Sequence, residues 1–487
     1  MTVTTVSSQM ESEPAGFNAR YGVVLVVLMW ASQLLGLVGL LSGNIQAEIA
    51  THFHTTRISW FTLITALVGT FATPFAVKAA AIHGKKRVMV VITVLGLVGD
   101  LIAALAANYS MLLIGRGIAG CYGPIGAIAY SMVRDVFPRR LVGPASGLLG
   151  GGVGLVALGG PFLSAWLVDD FGFRGALWFM AAASAVSLAA LVLLVPESPV
   201  REERTRIDWL GGLLLGGGLT AVVYGIGEGA DWGWTSARTF VFVGGGLAAV
   251  AGFAAVESRV PHPLIPLPLL RRRPVWTMLL TTSLVGGAAY AVGTVMFLLA
   301  LMPAIPGVSD GLGFSATRNA LINAPSSVLI LAGAVAAGIF VRRFDAWLLL
   351  AAGGLLLAGG YGLISAHHQT VPQLMLFGAV AAVGMGLVVA TIPLLVIQAV
   401  HPAEQALANG AQSMAQGVTQ SVLSQLAFVI LARDSQVVHG TRFYRDAGYS
   451  HGLLFTAGVA ATGAVLALMV RRRRVNQATD CSRQYER

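Results

Sequence analysis

Long apolar runs separated by short polar breaks fill nearly the whole 487-residue chain. A helix needs about 20 predominantly apolar residues to cross the hydrocarbon of a bilayer. Runs of that length fall at 21–42, 59–80, 87–107, 110–132, 143–168, 175–195, 209–228, 239–257, 276–302, 318–341, 346–365, 373–399, 406–432 and 451–470. A barrel strand would show about 10 residues of alternating polarity, and no such stretch occurs. The pattern predicts an all-α membrane protein with 14 transmembrane helices in a six, two, six layout. Its expected parts are an N-terminal tail (1–20), a six-helix half (21–195), a linker with two extra spans (196–275), a second six-helix half (276–470) and a basic tail (471–487).

Composition agrees with a bilayer rather than with several soluble domains. The chain is 56% hydrophobic and 11% charged, and it carries 60 glycines. Small residues let helix backbones approach closely in lipid, where no hydrophobic force drives helices together. The 31 Lys and Arg residues are divided unequally. With the N-terminus inside, 23 fall on the cytoplasmic side, seven outside, and Arg116 lies within a span. That is the positive-inside signature. It predicts a multi-pass inner-membrane protein of bacterial type with both termini cytoplasmic. The net charge of +10 then reports orientation. Nucleic-acid binding would need a soluble basic face with aromatic platforms, and none is present. The first apolar run is too long for a signal peptide's core and reads as a retained helix. Cys121 lies in a span and Cys481 in the polar tail, so neither a disulfide nor a metal cluster is expected.

Several motifs sit in order on these spans. After span two, Gly84, Lys85 and Lys86, followed by Arg87, fit the end of G-x-x-x-D-R-x-G-[RK]-[RK], while Val77, Ala81 and Ile82 replace its first glycine, its acid and its arginine. The pseudo-repeat "AGIFVRRFD" after span ten keeps Gly338 and Arg343, with Arg342 at the acidic position. Span four places Arg116 and Gly120 as in R-x-x-Q-G, with Ala119 for the glutamine. Span five holds "GLVALGGP", whose Gly159, Gly160 and Pro161 resemble an antiporter's G-x-x-x-G-P. With these motifs the chain resembles the major facilitator superfamily, specifically its fourteen-helix drug:proton antiporter branch, over about Tyr21 to Val470. The resemblance implies two pseudo-symmetric halves around a cavity that opens to alternate sides. It also implies that the missing loop acid would have latched the cytoplasmic ends together. Two readings of the loop stay open: a latch, or basic residues that only set topology.

The few charges inside the spans are the candidate chemistry. Asp100 and Arg116 flank the Asn108-Tyr109 turn at matched depth, about 11–13 Å below the outer surface at 1.5 Å per residue. A charge at a helix centre costs about 2.5–3.5 kcal/mol on insertion scales. The two are therefore expected to pair, directly or through water. The resemblance implies that Arg116 lines the cavity and tunes the protonation of a nearby carboxylate. Span one, read as "GVVLVVLMWASQLLGLVGLLSG", has no acid; Val38 stands near the position where many members of the branch carry an aspartate. Asp100 and Glu228 are then the candidate proton carriers.

Gln405, Gln412, Gln416 and Gln420 fall near one face of span thirteen. In lipid such a face should look into a bundle or a watery cavity. Trp30, Gln33, Tyr122, Tyr130 and Asn323 could complete a lining suited to amphipathic organic molecules. The histidines at 52, 54, 367 and 368 lack a third ligand, so no metal is expected. No cofactor is expected either, since no G-x-x-x-x-G-K-[ST] is present and the energy source would be the proton gradient. These readings predict a secondary transporter, acting as a monomer in the bilayer, that exports small organic compounds in exchange for protons. A proton-independent facilitator or uptake permease of the same fold is the alternative. An integral-membrane enzyme would need catalytic groups clustered at one depth, and none are seen.

Overall fold

The computed structural model describes residues 18–199, 208–260, 267–401 and 404–485. The expected tails and connections at 1–17, 200–207, 261–266, 402–403 and 486–487 lie outside the described residues. The helices are α1 (Ala19–His52), α2 (Ser59–His83), α3 (Lys85–Ala104), α4 (Tyr109–Ala119), α5 (Ile125–Val136), α6 (Arg139–Leu194), α7 (Trp209–Trp232), α8 (Ala237–Glu257), α9 (Leu267–Arg271), α10 (Arg273–Leu301), α11 (Ala316–Phe340), α12 (Ala346–Ala366), α13 (Val371–Ala399), α14 (Gln405–Arg433) and α15 (Asp446–Tyr485). Two small hairpins, β1 (Ala304–Ile305) with β2 (Ser309–Asp310) and β3 (Ser435–Val438) with β4 (Thr441–Tyr444), follow α10 and α14.

Among the described residues, thirteen helical segments are long and apolar enough to cross a membrane. One of them belongs to α6, which breaks at Gly172 (φ 65°, ψ −172°). A left-handed φ of this kind is open to glycine at little cost. Before the break, Gly152 and Ser164 lie against Gln33 and Asn44, so this arm climbs beside α1. After it, Arg174 donates to the carbonyls of Ala104 and Ala106, and Lys86 donates to Val192 O. The second arm therefore descends along α3, so α6 runs the length of the bundle twice.

Three elements differ from the sequence expectation. The first crossing runs on to His52, ten residues past the expected end, because Asn44, Gln46 and Glu48 stay helical among protein neighbours. Span four is broken by a 3₁₀ turn at Gly120–Tyr122, just before Pro124. Proline has no N–H to donate to residue 120 and its ring crowds that carbonyl, so the tighter turn replaces regular helix. The expected basic tail from Arg471 continues α15 as helix to Tyr485.

The first half is organised by α1 lying along α6 and by α3 packed on α4 and α6. In the second half α10 packs on α14 and α15, while α11 and α12 pack on α13. The extra pair α7–α8 rests on α2 and α14, across both halves. The halves meet along α2–α14, α6–α11 and α1–α10. Both chain ends lead to one face, the termini face; the turn at Asn108 marks the opposite, far face. One apolar core joins the halves near the far face, with Leu41 and Ile45 of α1, Leu298 and Leu299 of α10, and Tyr444 of β4. A second core, around Met278, Trp347, Val396 and Ala467, belongs to the second half alone and reaches the termini face. Hydrogen bonds across the halves follow the same division. Gln46 donates to Thr294 O (2.9 Å) and Thr441 donates to Ala50 O (3.3 Å), both toward the far face. Hydrogen bonds and apolar packing thus join the two halves toward the far face.

Candidate functional site: a buried polar network in the first half

Close backbone approach builds this site. A Cβ added at Gly99 of α3 would sit 2.6 Å from Gly115 O, and one at Gly115 would sit 2.6 Å from Gly99 O. The two glycines thus let α3 and α4 touch, which brings Asp100 and Arg116 onto adjoining surfaces. The 3₁₀ turn then swings Tyr122 over Gly96 toward Asp100. Asp100, Arg116 and Tyr122 are each 1% exposed.

Asp100 and Arg116, expected to pair directly or through water, form no direct ion pair. They lie close enough to interact electrostatically, but each is held by other groups. Tyr122 Oη and Ser184 Oγ both donate to Asp100 Oδ2 (2.7 and 2.8 Å). Tyr122 Oη also lies 2.6 Å from Ser184 Oγ, which is 2.8 Å from Met180 O. Arg116 instead donates from Nη2 to Ser42 Oγ (2.6 Å), contacts Met180 Sδ through Nη1 (3.2 Å), and lies over the Phe61 ring at 5.2 Å. Depth alone did not fix which way each side chain turns about its helix.

Each hydroxyl of this set keeps an acceptor in either protonation state of Asp100. With Asp100 ionised, both hydroxyls point at Oδ2. With Asp100 neutral, its proton can donate to Tyr122, Tyr122 to Ser184, and Ser184 to Met180 O. Hydroxyls serve as donor or acceptor by rotating, so the network can take up and release a proton without breaking. Asp100 Oδ1 and Arg116 Nε have no hydrogen-bond partner. Sequence reasoning found the two charges but not Ser42, Ser184 or Met180, which carry no distinctive pattern. It also placed Tyr122 in a cavity lining; the structure buries it here instead.

The other expected lining residues are spread out. Trp30 Nε1 reaches Ala183 O (3.4 Å) and Gln33 packs at Gly152, so both lean on α6. Tyr130 is 45% exposed on α5. Asn323 donates to Asn319 of its own helix. Gln412 donates to Gln416 (2.8 Å), which packs at Gly286 of α10, and the backbone at Gln420 packs at Gly287. That face of α14 therefore joins α14 to α10. Gly160 admits Leu40 of α1 at 3.1 Å from its would-be Cβ, next to Pro161, whereas Gly159 is open.

The loop motif after α2 is more than a set of surface charges. Lys85 forms a buried ion pair with Asp135 of α5, and Ser198 Oγ donates to the same carboxylate (2.6 Å). Glu197 accepts from the amide of Lys86 beside Gly84, whose φ is 108°. This ties α2–α3 to the ends of α5 and α6. The loop after α11 behaves differently, with Gly338 and Arg343 exposed. Arg87 is exposed as well.

At the far face Glu228 of α7, 3% exposed, pairs with Arg57 at 3.0 Å. Among the described residues no three His, Cys, Asp or Glu side chains converge to hold a metal. His368 instead bonds Ile364 O and Asp446.

Comparison with known proteins places this geometry in a family. The sequence profile of the Major Facilitator Superfamily matches residues 22–424. An uncharacterised MFS-type transporter of Mycobacterium tuberculosis is 29% identical over 72% of this chain and 50% of its own length. The probable actinorhodin transporter of Streptomyces coelicolor is 29% identical over 77% of this chain and 66% of its own. The uridine/deoxyuridine transporter of Lactococcus lactis is 30% identical over 58% and 60%. The chain thus spans about half to two-thirds of the length of these curated relatives. Among solved structures, the POT family transporter PepTSo superposes with a TM-score of 0.67 at 15% identity, covering 95% of this chain and 99% of that one.

Proposed function

The chain belongs to the Major Facilitator Superfamily of membrane transporters, and from that premise we propose that it is a proton-driven exporter of small organic compounds. In this reading it is a member of the fourteen-helix drug:proton branch. The termini face, which gathers most of the Lys and Arg residues, is the cytoplasmic one. The far face, where hydrogen bonds and apolar packing join the halves, is then the outer one. A name such as the actinorhodin transporter's supports an organic cargo.

The observation that carries the proton-coupled reading is the Asp100–Tyr122–Ser184 network, a buried carboxylate whose Oδ2 meets two hydroxyls that can each donate or accept. Arg116, one helix away, supplies the positive field that loss of a proton from Asp100 would balance. Glu228 is the second candidate, held by Arg57 at the outer end of α7. A proton-independent facilitator or uptake permease stays as a second reading, because the first crossing has no acid near Val38 and one relative is a uridine/deoxyuridine transporter.

Purified protein in proteoliposomes with an acidic interior, screened against a panel of aromatic antibiotics and dyes, tests this proposal. Wild type should concentrate its cargo inside. Asp100→Asn should lose gradient-driven uptake while retaining exchange of labelled for unlabelled cargo, and Glu228→Gln should stay within about twofold of wild type. Equal gradient-driven transport by Asp100→Asn and wild type would remove Asp100 from the mechanism.

A further inference from the structure

One carboxylate reaches across the seam between the halves and completes a helix that is not its own. Asp169 stands at the far-face end of the first α6 arm. Its Oδ1 accepts from the amide of Ala316 (3.0 Å) and its Oδ2 from the amide of Thr317 (2.8 Å), both in the first turn of α11. The first four amides of a helix have no partner within it. Here Ser315 Oγ takes the amide of Arg318 (3.1 Å), and Ser315 O takes that of Asn319 (3.0 Å). The two amides that Ser315 does not serve are the two that Asp169 holds. A negative charge at this position also meets the positive end of the helix dipole. Directly beneath, Ala165 of α6 packs against Ala316 and Ala320 of α11, each 3% exposed or less. The carboxylate therefore caps a contact of small residues between the halves.

We infer that Asp169 is the outer latch of the transport cycle, a positioning residue that holds the far face shut by capping α11 of the opposite half. Opening this face requires α6 and α11 to separate. That separation breaks both hydrogen bonds, moves the charge off the helix end and exposes the alanine contact. No other acidic side chain among the described residues bonds backbone amides across the two halves. The inference rests on the alternating-access reading but on neither cargo nor proton coupling.

The test uses the full chain in native membranes, with Cys121 and Cys481 replaced by alanine. Single cysteine reporters are placed at Ala320, sealed under the latch, and at Tyr130, which is exposed. Labelling by a membrane-impermeant maleimide is followed separately from each side. Asp169→Ala should raise the labelling rate of the Ala320 reporter from the outside about tenfold, the size of a lost charged cap, and should lower that of the Tyr130 reporter from the cytoplasm. The isosteric Asp169→Asn, which keeps one acceptor oxygen, should fall between. Because no cargo is needed, failure here leaves the transport reading untouched. Rates unchanged within twofold in both variants would overturn the inference. So would a parallel rise at both reporters, since that reports general loosening rather than a shift between two states.

Discussion

Tyr122 shows how much one residue's placement depends on its neighbours. Read along the sequence it is an aromatic in a span, equally suited to a cavity wall. In the structure its ring covers Gly96 and its hydroxyl joins Asp100 to Ser184. The two buried charges were legible because charge is rare in lipid-spanning segments and costly there. Their partners were not, since serine and methionine are common in helices and only the azimuth of α6 selects Ser184 and Met180. Replacing Tyr122 by Phe removes one hydrogen bond to Asp100, worth about 1 kcal/mol. Gradient-driven transport should fall about fivefold, less than for Asp100→Asn, in initial-rate measurements. A Tyr122→Phe variant as inactive as Asp100→Asn would mean that the hydroxyl is itself essential to proton movement.

At the scale of elements, the spans were readable because their lengths and hydropathy match a bilayer. Their ends were less so. Asn44, Gln46 and Glu48 are polar letters that suggest a loop, yet α1 continues through them because the side-chain amides of Asn44 and Gln46 donate to Ser164 Oγ and Thr294 O and protein surrounds all three. Hydropathy cannot distinguish a polar helix end buried in protein from a loop in water. The loop motif gave a similar result: its missing acid left a latch in doubt, and the partner, Asp135, lies on another element. Removing one member of a buried pair strands the other charge and costs about 3–5 kcal/mol. Lys85→Ala and Asp135→Ala should therefore each lower the melting temperature in detergent more than the double variant does; additive losses would show that the two do not act as a pair. The α3–α4 contact gives a second expectation. Gly99→Ala places its Cβ against backbone that cannot move aside, so it should destabilise by about 1–3 kcal/mol. An equal change at Gly126, with open space around it, should be nearly neutral in the same thermal assay.

For the whole molecule, the sequence conveyed a bundle of long apolar helices, and the structure added how they meet. Cross-half contacts lie toward the far face, with α7 fastened there by Arg57 and Glu228, while the second half's own core extends to the termini face. Periodicity along a chain cannot reveal toward which face the halves of a bundle join, because that depends on tilt between helices distant in sequence. The central claim is that cargo moves outward as protons move inward. Its most direct test is uptake of a transported aromatic compound by proteoliposomes with an acidic interior, before and after a protonophore collapses the gradient. The account predicts accumulation above the bath concentration that disappears with the gradient. Accumulation that survives the collapse, or movement that only ever equalises the two sides, would contradict it.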